Sequence, residues 1–342
     1  MPGEVATVQE TKTKGRTRFG GVVSLQTRSP ERVEPPCPYV QAGCGGCDWQ
    51  HIDPAAQSRY KRDIVVDALT RIGKITDAES IVRDCLAMSN TRYRSSARIL
   101  ANSTSWGFRA AHSHTMVPVN DCLVLHSECV QQAHDAMGAL DGDVDEVHEA
   151  HVRRAPDVFQ ETRLAVSQKS FFQGHIDAPR VLSDLILART NELRSGQQSL
   201  ICVDLYSGVG VFSLALARAG HHVISVEGNP YAVGDAHKNL IDCDATVIHS
   251  DVKKFRFDVH AFGKTCDVVV VDPSREGIAK EALDAVTSCN ARRIILVSCD
   301  PAAGARDIAL LEGAGFSLTE TTPIDMFGHT HHVEMVSILD MV

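Results

Sequence analysis

The chain has 342 residues, 44% hydrophobic and 23% charged, which allows two or three domains with proper cores. Its net charge is −9 with no basic tail, so the average field does not draw in nucleic acid and an RNA partner needs a local patch. No apolar leader or long apolar span is visible, so a membrane is not expected and the cytoplasm is the expected compartment; eleven cysteines there suggest metal ligands, catalytic groups or buried thiols more than disulfides.

Residues 1–36 are polar, strand-like around Phe19–Gln26, and too short to fold alone. Cys37, Cys44 and Cys47 follow, with glycines between them that let the backbone wrap closely. Three thiols at this spacing suit a metal or an iron–sulfur cluster, and Cys122 is the candidate fourth ligand, with zinc the rival occupant. Ala55–Ile72 reads as an amphipathic helix closed by Gly73, with Arg59, Lys61 and Arg62 on a solvated or phosphate-facing side. From Ser80 to Val147 the pattern is of short strands. There Arg92, Arg94, Arg98 and Arg109 interleave with Tyr93, Trp106 and Phe108, which suits either a modest RNA-facing surface or a plain sheet face. The acidic segment Asp135–Glu149 reads as a boundary or exposed excursion.

After Ser167–Gln173 a helix is expected over Ala178–Leu193. Ser199–Gly210 is then an apolar strand ending in Asp204 and a glycine turn, followed by a helix from Val211 and a second strand, His222–Glu227. The third glycine of the dinucleotide fingerprint is missing, so the unit suggests an adenosine site for S-adenosylmethionine rather than NAD, with Glu227 taking the ribose hydroxyls; an ordinary strand-to-helix turn is the plain alternative. Thr246–Asp251, Asp267–Asp272 and Arg293–Ser298 are further buried strands. Thr319–Asp325 and Val333–Leu339, with no helix between them, predict an antiparallel edge pair on an α/β, doubly wound, Rossmann-like sheet. Ligands in such sheets lie beyond the carboxyl ends of the strands, which gathers Asp204, Glu227, Asp251, Asp272 and Cys299. On position alone Cys299 is an ordinary core thiol and Glu334 an edge strand's solvent-facing acid.

Together these motifs resemble the RNA uracil-5-methyltransferases, over nearly the whole chain. The landmarks are the Cys37–Cys47 cluster with Cys122, Phe171-Phe172-Gln173, Asp204-Leu-Tyr-Ser-Gly-Val-Gly210, Asp272-Pro-Ser-Arg-Glu-Gly277, Ser298-Cys-Asp-Pro301 with Arg306-Asp307, and His332-Val-Glu334. The resemblance implies a class I methyltransferase domain over 161–342. It also implies a cysteine-cluster and β-rich RNA-facing domain over 37–160 and a partial TRAM-like (OB-like) β segment over 1–36. It makes Cys299 the nucleophile and Glu334 the base, and puts Gln173, Tyr206, Glu227 and Asp272 around S-adenosylmethionine, with Asp251 a weaker candidate. Cys37, Cys44, Cys47 and Cys122 match the ligands of a four-iron, four-sulfur cluster. The implied partner is transfer or ribosomal RNA, with no obligate protein partner. Two departures are Ser274 and Ala302, and Met1–Glu34 resembles only the latter half of the family's small RNA-binding barrel. Either an upstream start exists or RNA is recognised without that barrel.

The chemistry agrees with the assignment. Carbon 5 of uracil is a poor nucleophile until a thiolate adds at carbon 6, and a base must then remove the hydrogen on carbon 5 so that the thiolate can leave. The site is therefore expected to lower the thiol's pKa or to deprotonate it on attack. Asp272 is placed to orient the ring and Arg275 to offset enolate charge. A radical enzyme using S-adenosylmethionine would need an iron left open by only three cysteines, a non-catalytic RNA-binding protein would be indifferent to loss of Cys299, and a small-molecule methyltransferase leaves Cys299 and Glu334 together unexplained.

Overall fold

The computed structural model describes residues 1–140, 146–196, 198–262 and 265–342. Two long strands open the chain, β1 (Val5–Lys14) and β2 (Thr17–Thr27), paired antiparallel from Val5↔Thr27 to Lys14↔Thr17. All of β1 is exposed, and all of β2 except the half-buried Leu25. The ribbon is fastened at its base, where the Glu4 carboxylate accepts from Arg32 Nη2 at 2.8 Å and from the Ser29 amide at 3.3 Å.

Helix α1 (Pro54–Ala68) starts where expected, because Asp53 caps the Ala55 amide at 3.0 Å and Pro54 needs no donor partner; a π-helical turn, Leu69–Gly73, ends it. After α2 (Ala78–Ile81) comes β3 (Leu86–Ala87). Val65, Leu69, Ile75, Ala78 and Val82 pack into one hydrophobic cluster with the large C-terminal sheet. The basic face read as solvated is not uniform. Arg59 pairs with Glu31 and Arg62 with Glu79, whereas Lys61 is fully buried, ion-paired with Asp325 and donating to the Phe327 carbonyl at 3.0 Å.

A four-stranded antiparallel sheet comes next, formed by β4 (Ser96–Ala101), β5 (Trp106–Arg109), β6 (Met116–Val119) and β7 (His148–Arg153) in the order β6-β5-β4-β7. Helix α3 (Ser127–Gly138) covers it, burying Cys129 and Ala133 against Ile99, Trp106 and Val152. The acidic segment runs from the last turn of α3, Asp135–Gly138, to the start of β7, His148–Glu149; residues 146–149 are exposed, and residues 141–145 lie outside the described residues. Of the two readings of the arginine–aromatic pattern, the plain sheet face suits Tyr93 and Trp106, which are buried, while Arg92 and Arg109 pair with Asp121 and Glu149. A short hairpin, β8 (Val158–Phe159) with β9 (Thr162–Arg163), leads onward.

The rest of the chain alternates helix and strand: α4 (Ala178–Asn191), β10 (Ile201–Leu205), α5 (Val211–Arg218), β11 (His222–Glu227), α6 (Pro230–Asn239), β12 (Ala245–His249), α7 (Val259–Phe262), β13 (Val268–Val271), α8 (Lys280–Ser288), β14 (Arg293–Ser298) and α9 (Pro301–Gly313). Strands β15 (Phe316–Asp325) and β16 (Glu334–Met341) end it. The sheet order is β12-β11-β10-β13-β14-β16-β15-β3, parallel from β12 to β14. The expected antiparallel pair is present, with β3 added parallel beyond β15. Strands β10, β13 and β14 are buried on both faces, which is why they read as continuous apolar runs. Chain order reverses between β10 and β13, and their carboxyl ends form the switch point at which sheets of this kind bind ligands. Among the described residues no helix is long and apolar enough to cross a membrane.

Candidate active site

At the switch point β10 ends in Leu205 and the backbone turns left-handed at Tyr206 (φ 61°) and again at Gly210 (φ 86°). The left-handed backbone at Gly210 favours glycine, and a side chain there would also press on Leu240. Tyr206, a non-glycine residue in that region, is the kind of strained position that clusters at binding sites. Glu227, at the end of β11, accepts from the Gly208 amide at 2.9 Å and the Asn229 amide at 2.6 Å, and so fixes the turn from the neighbouring strand. Tyr206 is half-buried, and burial with the nearby carboxylates Asp251, Asp307 and Glu227 pushes its hydroxyl up to about 12. Asp251 caps the Lys253 amide at 3.0 Å. Gln173 reaches in from the segment before α4, its Nε2 donating to Asp272 Oδ2 at 3.4 Å.

The antiparallel register decides the other half of the site. Ser298 at the end of β14 pairs with Met335 of β16, which sets Cys299 level with Glu334, while Val271 of β13 pairs with Leu296 and delivers Asp272 from the other side of β14. Glu334 is 3% exposed, so its reading as a solvent-facing edge acid is excluded. Burial raises its pKa well above the ordinary 4.5, Asp272 adds to that and Arg275 opposes it. The Cys299 thiol is pushed up to about 11 by burial and then by Glu334, against Arg275. Asp272 rises to about 7 through burial and the neighbouring Asp204. Cys299, Glu334, Asp272 and Arg275 therefore share one electrostatic neighbourhood. In the free chain burial and Glu334 thus favour the protonated thiol.

Asp204 is fully buried; its Oδ2 accepts from Ser213 Oγ at 2.6 Å, while its Oδ1 has no hydrogen-bond partner among the described residues. Burial lifts it from 3.8 to about 7. Because the folded value is the higher, the neutral acid favours folding; that stabilisation is complete below about pH 4 and is lost as the pH rises to about 7. Thermal melts from pH 4 to 8 are expected to show Asp204→Asn gaining on the wild type across that window, by at most about 1.4 kcal/mol per pH unit. A pH-independent difference between the two proteins refutes this.

Sequence reasoning gave Asp307 only as a landmark beside Arg306. It is 3% exposed on α9, the helix that follows Cys299, and its Oδ2 accepts the Ile278 amide at 2.8 Å, which clamps the 272–278 loop bearing Asp272 and Arg275. Gly277 (φ 85°) lies directly against it, and a Cβ there would stand 2.6 Å from Asp307 Oδ2. Gly277→Ala is expected to cost about 1–3 kcal/mol in a thermal melt. Gly313→Ala, whose added methyl would meet open space, is expected to cost nothing.

Cys37, Cys44, Cys47 and Cys122 are brought to one cavity, walled by Tyr39, Val40, Phe108, Val119, Leu123 and Val124. Burial pushes the Cys47 thiol up to about 11, with Gln50 opposing and Cys122, Cys44 and Cys37 adding to the rise; Cys44 and Cys122 are raised too, again by burial first. Among the described residues no group of three or more His, Cys, Asp or Glu side chains is arranged to hold a single metal ion.

Comparison with known proteins gives concordant results. The family model described as tRNA (Uracil-5-)-methyltransferase matches residues 251–342, which include Asp272, Cys299 and Glu334. An uncharacterized RNA methyltransferase of Streptomyces avermitilis is 30% identical, the match covering 99% of this chain and 91% of the relative. The 23S rRNA (uracil(1939)-C(5))-methyltransferase RlmD of Shewanella frigidimarina is 28% identical over 100% of this chain and 90% of its own length. In fold, the chain is similar to the Pyrococcus abyssi tRNA (uracil-54, C5)-methyltransferase solved with S-adenosyl-L-homocysteine. The TM-score is 0.70 at 20% identity, covering 99% and 93% of the two chains.

Proposed function

Because the chain belongs to the RNA uracil-5-methyltransferase family, whose members use S-adenosylmethionine, we propose that it methylates carbon 5 of a uridine in transfer or ribosomal RNA through a covalent adduct of Cys299. The observation that carries this is the register that sets Cys299 beside Glu334, with Asp272 delivered from the adjoining strand.

Tyr206, Glu227, Asp272 and Gln173 would hold the cofactor, which supplies a methyl group on a positively charged sulfur. The residues are compatible with such a cation: Asp272 and Glu334 are carboxyl groups whose pKa values burial raises, so a positive charge placed beside them would favour their ionised forms. In the proposed reaction Cys299 Sγ adds to carbon 6 of the uracil and its proton leaves as it does so. Asp272, delivered beside the thiol by β13 and felt there electrostatically, is the carboxylate left to accept that proton while Glu334 serves the later step. Electron density moves to carbon 5 and O4, where Arg275 offsets it. Once carbon 5 is methylated, Glu334 takes its hydrogen and the Cys299–carbon 6 bond breaks by elimination. Burial makes Glu334 a strong base when ionised, and Arg275 favours that ionisation.

The assay is release of tritium from carbon 5 of labelled uridine, with unmodified transfer and ribosomal RNA compared. Release from neither RNA overturns the proposal. The exposed β1–β2 ribbon, with Lys12, Lys14, Arg16 and Arg18 near its tip on a chain of net charge −9, supplies the local basic patch that RNA requires.

We propose a four-iron, four-sulfur cluster at the four cysteines, with zinc the rival occupant. The cysteines line one largely apolar cavity, and four thiolates around such a cavity are the ligand set of that cluster. Its role here is structural: the Arg92 and Arg94 amides donate to Leu123 and Val124 beside Cys122, at 2.9 and 2.8 Å, and the neighbouring Tyr93 hydroxyl donates to the Gly328 carbonyl at 3.0 Å. Anaerobically purified protein is expected to carry about four iron and four sulfide per chain. Cys47→Ser should lose them along with thermal stability, and Cys243→Ser should keep them. Zinc in place of iron in the wild type refutes the cluster.

A further inference from the structure

Helix α6 does more than cover the sheet. Its N-cap Asn229 and two polar side chains along it point to the same segment, residues 165–170, which leads into Phe171-Phe172-Gln173. Asn229 Nδ2 donates to the Lys169 carbonyl at 3.2 Å. Asp235, 2% exposed, accepts from the Ser167 amide at 2.6 Å, Ser167 Oγ at 2.8 Å and Ser170 Oγ at 2.7 Å. One turn further on, Asn239 accepts from the Ala165 amide at 2.7 Å and donates to the Ala165 carbonyl at 3.0 Å and to Val209 of the glycine turn at 2.8 Å. From the other side Arg153 of β7 donates to the Ser167 and Ser170 carbonyls at 3.0 and 2.7 Å.

The segment is therefore a strap held between the small sheet and α6. At its far end Gln173 donates to Asp272, its carbonyl accepts from Ser95 Oγ at 3.0 Å, and Phe171 stands 70% exposed. Asp235 touches none of Cys299, Glu334 or Asp272. A nearly inaccessible carboxylate with three short bonds is nevertheless costly to break, since its loss leaves an amide and two hydroxyls without their acceptor.

We propose that Asp235 is a positioning residue for the methyl transfer: by holding Ser167 and Ser170 it sets where Gln173 meets Asp272, and so couples the strap to the glycine turn through the same helix. This rests on the methyltransferase reading. An error of about 1 Å in a group placed this way costs on the order of 100-fold in rate, so Asp235→Ala is expected to lower kcat/KM for RNA by about 10- to 100-fold. Asp235→Asn keeps one acceptor oxygen and recovers part of that loss.

The test is a double-mutant cycle with Gln173→Ala, read by tritium release, together with hydrogen exchange of the wild type and both Asp235 variants. If Asp235 acts through Gln173, the double variant is no slower than the slower single variant. The Ser167 amide then exchanges faster in Asp235→Ala while the Ile278 amide, on the other clamp, is unchanged. Effects that multiply, or an unchanged Ser167 amide, overturn the proposal. A residue that merely stabilises the fold speeds exchange at Ser167 and Ile278 alike, which also overturns it. A wild type that releases no tritium fails the methyltransferase reading instead, and the exchange arm still judges the clamp. If the alanine variant does not fold, the asparagine variant carries both arms.

Discussion

Replacing Cys299 by alanine is expected to reduce tritium release from 5-labelled uridine by more than about 10³-fold, because without the carbon 6 adduct carbon 5 has no route to become nucleophilic. The loss should fall on turnover alone. Cys299 is half-buried just past the end of β14, and the glycine turn, Glu227 and Tyr206 are untouched by the change, so S-adenosylhomocysteine affinity and Tm should stay near wild type. Activity within about tenfold of wild type would remove the covalent mechanism. The high pKa of the resting thiol adds a test of its own: iodoacetamide should modify Cys299 slowly at pH 7 and faster as the pH rises toward 11.

Glu334→Gln is expected to trap the reaction after the methyl group has moved. The amide fills the same buried space but accepts no proton, so elimination stalls and a covalent protein–RNA species accumulates that survives denaturing electrophoresis. Tritium release should fall by about 10²- to 10⁴-fold. The double variant Cys299→Ala, Glu334→Gln should form no such species, which separates a true adduct from tight binding. Stability supplies an independent sign. The folded pKa of Glu334 is raised, so the wild type loses stability as the pH climbs through it, and the glutamine variant should gain on the wild type over the same range. Rapid release without an adduct in Glu334→Gln would assign the base elsewhere.

Much of this site is written locally. The parallel strands are buried on both faces and therefore read as apolar runs, and the residue that ends each run lies at the ligand-binding edge, which is how Asp204, Glu227, Asp272 and Cys299 could be gathered without coordinates. The helix over residues 55–72 announced itself through its spacing and its closing glycine. Lys61 did not, since a lysine among arginines on an amphipathic helix reads as solvated until Asp325, 264 residues away, is seen to cover it. Tyr93 and Trp106 stayed ambiguous for the same reason: aromatic residues interleaved with arginines look alike in a nucleic-acid surface and in a small core with an ionic rim.

The sequence by itself determined the doubly wound sheet, the glycine turn, the antiparallel end and the identity of the thiols and carboxylates available for chemistry, because these follow from hydrophobic period and from backbone requirements within a few residues. The tertiary structure decided which of those groups meet. Pairing Ser298 with Met335 makes Glu334 a buried neighbour of Cys299 instead of a solvent-facing acid, and a shift of one residue would turn it to the other face. It also decided the clamps. Asp235 and Asp307 are polar residues on otherwise ordinary helices, and their partners, Ser167 and Ile278, are 68 and 29 residues distant. Only packing brings a carboxylate to a backbone amide across such a distance, and the cost of burying its charge ensures that the bond is made.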